Sequence, residues 1–202
     1  MEILYSDKDI AVLVKPVGLD SEKEVPEALK ETLGGEVFPI HRLDKNVGGV
    51  MLYARTKQAA AALSKAVQDG AMVKEYVALV HGAPPETGDW QDLLFKDSTN
   101  NKVFVVKKER KGVKKARLEF TRLREGENSL VRIRLHTGRS HQIRVQFASR
   151  NMPLVGERKY SERNDPCEIA LWSCRLAFTH PKTGERMEFT HEPPRIYPWT
   201  EV

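Results

Sequence analysis

The stretch FPIHRLDKNVGGVMLYART, residues 38–56, places an arginine and an aspartate two positions apart, ahead of two glycines and an apolar run. Apolar residues in such a run are typical of a buried strand. The sequence therefore predicts that the segment HRLD lies at a strand end and presents Asp44 there, with the glycines letting the chain turn away. Two interpretations stay open for these residues alone: a surface turn in which Asp44 accepts backbone hydrogen bonds and Arg42 is solvated, or a functional site.

The length and the cysteines indicate an ordinary intracellular protein. The 202 residues are enough for one domain with a substantial core. No apolar run approaches the ~20 residues of a membrane-spanning helix, and the N-terminus lacks the features of a signal peptide. Cys167 and Cys174 match no common zinc, redox or disulfide pattern. We therefore expect a cytoplasmic protein that has no membrane segment.

The charge is positive and unevenly distributed. The net charge of +5 and the pI of about 9.2 favour an anionic partner. Lysine and arginine are dense in KVFVVKKERKGVKKARLEFTR, residues 102–122, which has a glycine near its middle. The segment is either a solvated hairpin tip or a mobile arm that grips a phosphate backbone.

The patterns predict an α+β fold with a large, mainly antiparallel or mixed sheet. Two short strands around a DKD turn open the chain, KEYVALVHG predicts a further strand, and ARLEFTRL and SLVRIRLHTG alternate as half-buried strands do. The stretch TKQAAAALSKAVQDG predicts a helix that Thr56 caps and Gly70 closes. RSHQIRVQFASRN predicts a short helix capped by Thr137 or Ser140. ALWSCRLAFTHPKTGERMEFTH predicts a hairpin that turns at PKTG.

Two further motifs could bear function. In HTGRSHQIRVQFA, a Gly-Arg pair before a helix start suggests an anion site at Arg139, whereas the plainer interpretation is a helix whose Arg144 pairs with a nearby acid. In VKEYVALVHG, Tyr76 is either a core residue with its hydroxyl at the rim or part of a site. No third ligand accompanies the histidines at metal spacing, so we expect no metal site.

Taken together and in order, KPVGL, HRLDKNVGG, KEYVALVHG and TGRSHQIRVQFASRNMPLVGERKY resemble the RluA-type family of RNA pseudouridine synthases. The resemblance runs over residues 3–189. It implies a single catalytic domain over residues 1–202 without a separate N-terminal RNA-binding domain, built on a curved sheet with flanking helices and a central basic cleft. It also implies isomerisation of uridine in ribosomal or transfer RNA, with no cofactor or metal and with no obligate protein partner, so that we expect a monomer.

The resemblance assigns the family's site residues to positions of this sequence one at a time. The catalytic aspartate matches Asp44, the tyrosine that packs against the target base matches Tyr76, and the arginine that pairs with the aspartate matches Arg144. Arg42 matches an arginine that helps to open the RNA, and Leu171 matches an apolar residue at the pocket floor. The basic residues that we expect to contact the substrate are Arg139, Lys107, Lys108, Lys114 and Lys115.

The chain also departs from the family pattern. Val47 and Gly48 replace a threonine and a serine, Gln146 and Trp172 each replace a histidine, and GERKYS replaces the more usual GD-x-x-YG. These departures leave the aspartate, tyrosine and arginine in place.

Two other functions compete with the synthase. A catalytically silent RNA-binding protein of the same fold would need none of the three central residues. An aspartate-dependent hydrolase or glycosidase would normally need a second carboxylate beside the bond, and no motif supplies one.

Overall fold

The computed structural model describes residues 1–201, which divide into two compact units. The first unit contains Met1–Lys74 and Trp172–Pro193, and the second contains Glu75–Leu171 and the segment that starts at Pro194. The helices of the described residues are α1 (Glu24–Leu33), α2 (Lys57–Gln68), α3 (Gln142–Ala148) and a 3₁₀ turn (Trp199–Glu201). The strands are β1 (Glu2–Ser6), β2 (Ile10–Lys15), β3 (Phe38–Pro39), β4 (Gly48–Ala54), β5 (Val73–His81), β6 (Thr87–Asp97), β7 (Lys102–Val106), β8 (Val113–Arg124), β9 (Asn128–Leu135), β10 (Leu171–Thr179) and β11 (Arg186–Thr190).

In the first unit, β4 is the central strand of the order β1-β2-β4-β10. β2 pairs with it antiparallel over its whole length, β10 pairs with it in parallel at Gly48 and Gly49, and β3 pairs with its far end. Every residue of β2 and β4 is buried, which explains why both strands are continuously apolar apart from Lys15. The predicted strand pair at the N-terminus and the hairpin that turns at PKTG are confirmed.

The segment HRLD does not end a strand, so that part of the prediction is wrong. Residues 40–47 form an irregular connection between β3 and β4. The reason is that the backbone of Leu43 bonds to a side chain instead of a neighbouring strand: its carbonyl accepts from the Ser21 hydroxyl at 2.9 Å, and its N–H donates back at 3.2 Å. Asp44 therefore lies in a loop that enters β4, and its carbonyl accepts a bond from the N–H of Val47 at 2.9 Å.

The sequence predicted one of the two helices of the first unit and missed the other. The helix α2 begins after Thr56, whose side chain accepts the N–H of Ala59, and Gly70 follows it with a φ of 71°, so that prediction is confirmed. The helix α1 was not predicted. Its signal is Asp20, whose carboxylate accepts the N–H groups of two residues just before the helix, followed by a proline in the first helical turn.

In the second unit the strand order is β5-β9-β8-β6-β7. Of the two interpretations of residues 102–122, the solvated hairpin is wrong, because β6 lies between β7 and β8 and pairs antiparallel with both. The other interpretation, a mobile arm that grips a phosphate backbone, stays a prediction. The 11-residue strand β6 forms hydrogen bonds along both of its edges. The alternation of buried and exposed residues along β6 was not recognised in the sequence. The exposed residues 107–112 therefore connect two parallel strands across β6, and we call them the crossover loop.

The helix α3 packs on one face of this sheet. Trp90, Phe120 and Phe147 form a ring cluster with centroid separations of 4.5 to 5.4 Å. The buried Gln146 donates to Asp92 at 2.7 Å and thereby ties α3 to β6. The predicted helix is confirmed but its predicted caps are wrong: His141, with a φ of 50°, precedes the helix and has no side-chain cap bond.

The α+β fold with a mixed, mainly antiparallel sheet and flanking helices is confirmed. β10 and β4 supply a parallel pair among antiparallel ones, and α2 and α3 contact strands of their own units. Within the part of the chain that the structure describes, no helix has the length and apolar character needed to cross a membrane.

Gly49 is expected to be the least replaceable glycine of the first unit. Its φ is 118°, and a Cβ built there would lie 2.2 Å from the carbonyl oxygen of Ser173 on β10. Gly49→Ala should lower the free energy of unfolding by about 3 kcal/mol or more, because backbone strain and overlap with backbone atoms add together.

The matched control is Gly70→Ala. Gly70 also has a positive φ, 71°, but nothing lies within 4 Å of its added Cβ, so the expected decrease is about 1 kcal/mol. Urea denaturation of both variants makes the comparison. Equal decreases in the free energy of unfolding of the two variants would show that the close contact between β4 and β10 does not limit substitution at Gly49.

Candidate active site

The loop that carries Asp44 is fastened to the KPVGL turn by a buried lysine. The Nζ of Lys15 donates to the carbonyls of Pro16 at 2.9 Å, Leu19 at 2.8 Å and Lys45 at 3.2 Å. The N–H of Gly18 donates to the same Lys45 carbonyl at 2.8 Å. The residue that follows Asp44 is thus held by two donors from the turn.

Lys15 is wholly buried, and its burial lowers its pKa to about 8. The negative charges of Asp20, Asp44 and Glu24 act in the opposite direction and favour the ammonium form. Three carbonyl acceptors use all three N–H bonds of an ammonium. In the sequence, KPVGL served only as one of the motifs of the family resemblance and no role was predicted for this lysine, although a lysine that ends an apolar strand was a usable signal.

The two other charged or titratable residues of HRLD have local partners. His41 accepts the N–H of Leu52 through Nε2 at 3.0 Å, and desolvation of the ring lowers its pKa to about 3, so the imidazole is neutral. Arg42 is exposed and its Nη1 lies 2.7 Å from the carboxylate of Glu22. A surface ion pair of this kind is weak and can be exchanged for a phosphate contact at little cost.

Two departures from the family pattern are physically linked. A Cβ added at Gly48 would lie 2.3 Å from the indole ring of Trp172, so the tryptophan occupies the space that a side chain at position 48 would need. The indole N–H of Trp172 donates to the carbonyl of His191 at 3.1 Å, which fixes the ring. A serine at position 48 and the tryptophan at position 172 would therefore compete for the same space.

In the second unit, Arg144 is held by a buried carboxylate. Its Nε and Nη2 donate to the two oxygens of Glu157 at 2.6 and 2.8 Å, and the carboxylate has no exposed surface. One oxygen of Glu157 also accepts the N–H groups of Lys159 and Tyr160. This bidentate pair fixes the plane and direction of the guanidinium. It agrees with the interpretation that Arg144 pairs with a nearby acid, and no motif had indicated that this acid is Glu157.

Tyr160 extends this arrangement. Its ring centroid lies 5.6 Å from the guanidinium carbon of Arg144, and its hydroxyl lies 2.6 Å from Nδ1 of His141 and accepts the N–H of Val103 at 2.9 Å. His141 precedes α3, so the start of the helix, the GERKYS segment and β7 are joined through one hydroxyl. The replacement of the family's GD-x-x-YG by GERKYS therefore retains a carboxylate and a tyrosine that both make specific contacts.

Tyr76 and Leu171 are both buried. Tyr76 lies on β5 at 5% exposure and Leu171 at the start of β10 at 6% exposure. Burial fits an aromatic and an aliphatic side chain in a core as well as at a pocket wall, so their predicted roles stay predictions. Asp44 belongs to the first unit and Arg144 to the second, and their pairing likewise stays a prediction.

The structure brings several of the predicted basic residues together. The exposed Arg139 donates through Nε to the carbonyl of Lys115 at 2.9 Å, which joins the GRSHQIR segment to β8. Lys114 also lies on β8, while Lys107 and Lys108 lie in the crossover loop. All five side chains are exposed. The described residues contain no group of histidine, cysteine, aspartate and glutamate side chains that could hold a metal ion.

The sequence profile of the RNA pseudouridylate synthase family matches residues 6–149, which include Asp44, Tyr76 and Arg144. The chain belongs to this family, whose members are isomerases that act on RNA. The predictions of family and enzyme class are confirmed.

Individual relatives agree. An uncharacterized RNA pseudouridine synthase of Aquifex aeolicus is 32% identical over all of this chain and 73% of its own length. The ribosomal large subunit pseudouridine synthase D of Vibrio cholerae is 31% identical over 96% of this chain and 67% of its own length. The tRNA pseudouridine synthase C of Haemophilus ducreyi is 28% identical over 93% and 88%. The structure of human RNA pseudouridylate synthase domain containing 1 covers 96% of this chain and is itself 84% covered, with a TM-score of 0.82 at 22% identity, and this likeness shows the fold.

The Arg144–Glu157 pair is expected to matter for stability because both charges are shielded from water. Glu157→Gln should lower the free energy of unfolding by about 3 kcal/mol, since it leaves the guanidinium without its buried counter-charge. Chemical denaturation of the purified variant measures the decrease.

The control is Glu188→Gln, which breaks the pair between Glu188 and Arg175. That pair is also bidentate, with both distances 2.9 Å, but 45% of the Glu188 side chain is exposed. Breaking it should cost much less than breaking the Arg144–Glu157 pair, because water solvates the exposed Glu188 carboxylate. If the two variants are equally stable, burial does not set the strength of the Arg144–Glu157 pair.

Proposed function

We propose that Asp44 carries the chemistry by which this chain converts uridine in RNA to pseudouridine. The observation that carries the proposal is that hydrogen bonds fix the backbone on both sides of Asp44. Ser21 binds the carbonyl of the preceding residue and Lys15 binds the carbonyl of the following one, while the Asp44 side chain is only half-buried. A rigid loop with a partly accessible carboxylate suits a group that must reach a reacting atom in a fixed direction.

The reaction is an isomerisation in which atoms are conserved. The bond from N1 of uracil to C1′ of the ribose breaks, the base rotates, and a bond forms from C5 to C1′. The proton on C5 is lost and N1 gains one. A carboxylate can serve as a nucleophile at the sugar or base, or as a base toward the ribose 2′ position, and these routes share the requirement for Asp44.

Two residues of the second unit complete the proposed catalytic set. We assign to Tyr76 a flat surface against which the detached uracil is held while it turns. We assign to Arg144 the positive charge that pairs with the Asp44 carboxylate, and its orientation by Glu157 supports that role. Leu171 would form an apolar part of the pocket.

The RNA would be bound through its phosphates. Target uridines are normally stacked, so turning one out costs roughly a few kcal/mol, which phosphate contacts can offset. We assign such contacts to Arg139, Lys107, Lys108, Lys114 and Lys115, which are exposed, and to Arg42, which would exchange Glu22 for the displaced strand. The names of the relatives from Vibrio cholerae and Haemophilus ducreyi favour ribosomal or transfer RNA as the substrate class.

We also propose that residues 1–202 act as one catalytic domain, that the protein works as a monomer, and that it works in the cytoplasm. The likeness to a human synthase domain over 96% of the chain supports the first statement. Both cysteines are thiols, which supports a reducing compartment.

The decisive variant is Asp44→Asn, which keeps the size of the side chain and one carbonyl oxygen but removes the negative charge. It should lower pseudouridine formation by at least about 10²-fold, while folding and RNA affinity stay close to wild type. Protein is incubated with total RNA from cells that lack the gene, and pseudouridines are mapped as carbodiimide adducts.

Asp69→Asn is the control, because Asp69 is exposed at the end of α2 and should retain full activity. Wild-type activity in folded Asp44→Asn protein would refute the mechanism. A wild-type protein that binds these RNAs and modifies none of them would favour the catalytically silent RNA-binding protein.

A further inference from the structure

A pair of aromatic side chains lies on the face of the second unit's sheet that α3 does not cover. Phe95 on β6 and Phe104 on β7 are directly opposite each other in the register, so both project from the same face. Their chain neighbours Leu94 and Val103 pack with Val145 of α3 in a buried cluster. Because side chains alternate along a strand, the two phenylalanines point away from α3.

Cations flank both rings. The guanidinium carbon of Arg110 lies 4.5 Å from the centroid of Phe95, and the Nζ of Lys102 lies 5.9 Å from the centroid of Phe104. Arg110 belongs to the crossover loop, which thereby covers Phe95 and leaves Phe104 open. Phe104 is 42% exposed on β7, which is the last strand in the sheet order.

The surroundings are basic and contain an open pocket. Residues 107–112 hold four basic residues and one acidic residue, and Lys114 and Lys115 follow at the start of β8. The pocket lies beside the crossover loop and is lined by Leu93, Glu109, Arg110, Val113 and Lys115. Exposed aromatic surface beside several cations fits a ligand that offers flat rings and negative charge together.

We propose that this face, which we call the Phe104 platform, binds an unpaired nucleotide of the RNA substrate, with its base stacked on Phe104 and its phosphates near the crossover loop. The proposal rests on the proposed function in that the ligand is RNA. Aromatic residues on adjacent strands of an exposed sheet face are a recurring way to bind single-stranded RNA. Stacking of one base contributes about 1–3 kcal/mol and tolerates any sequence.

The probe is a fluorescein-labelled oligouridine of about 12 nucleotides, which has no stable duplex and fits the usual length of such sites. Affinity is measured by anisotropy at several salt concentrations with the full chain. Phe104→Ala should weaken binding about 5- to 150-fold, the range that corresponds to one stacked base. Its salt dependence should match wild type, because base stacking is not an ionic interaction.

Three other variants separate stacking from other causes. Phe104→Tyr keeps a ring and should bind like wild type. Leu123→Ala removes a comparably exposed apolar side chain, 44% exposed on β8, and should also bind like wild type. The double change of Lys107 and Lys108 to Gln should reduce the slope of log affinity against log salt by about 1.4, because each phosphate of a single strand that a lysine neutralises adds about 0.7 to that slope.

Wild-type affinity of Phe104→Ala would overturn the proposal, as would an equally weakened Leu123→Ala, which would indicate general apolar adhesion. Absence of oligouridine binding at low salt would also overturn it and would favour an acidic protein as the ligand of this face. Binding is read without turnover, so a protein that binds through Phe104 and forms no pseudouridine would refute the proposed function and leave the Phe104 platform standing.

Discussion

The first unit depends on a buried ammonium that must be fully satisfied. A lysine with no solvent contact costs several kcal/mol unless acceptors surround it, and Lys15 meets that condition with three carbonyls from the KPVGL turn and the HRLD loop. The requirement links two segments that are 30 residues apart in the chain. The position of Asp44 follows from it, since the next residue, Lys45, supplies one of the three carbonyls.

A comparable constraint acts in the second unit. Glu157 is a carboxylate without solvent contact, and it is acceptable there because Arg144 and two backbone N–H groups supply its donors. Buried groups thus hold both Asp44 and Arg144 in place. The Lys15 ammonium binds the backbone carbonyl of the residue after Asp44, and the Glu157 carboxylate binds the Arg144 guanidinium directly. Such anchoring is what a site needs in order to hold polar groups within a narrow range of geometry.

Much of the fold could be predicted from sequence because it rests on local signals. Thr56 and Gly70 bracket α2, and the PKTG turn closes the β10–β11 hairpin, so capping and turn chemistry were sufficient there. The prediction failed where a distant residue decides the outcome. Ser21 takes the hydrogen bonds of Leu43 and prevents a strand at HRLD, and β6 inserts between two segments that look like a hairpin.

In the candidate site, the sequence likewise predicted some residues and missed others. Asp44, Tyr76 and Arg144 could be selected because the motif order resembles a known family, whereas their supports could not. Lys15 and Glu157 have meaning only once the carbonyls and the guanidinium that they face are known. The steric link between Gly48 and Trp172 also becomes visible only in the structure, where the indole fills the space beside the glycine.

The central claim is that this chain makes pseudouridine in cellular RNA. The most direct measurement is a transcriptome-wide map of pseudouridine in cells with the gene, without it, and with it restored. At least one uridine in ribosomal or transfer RNA is expected to lose its modification on deletion and to regain it on restoration. Identical maps in all three strains, together with no conversion of their RNA by the purified protein, would contradict it.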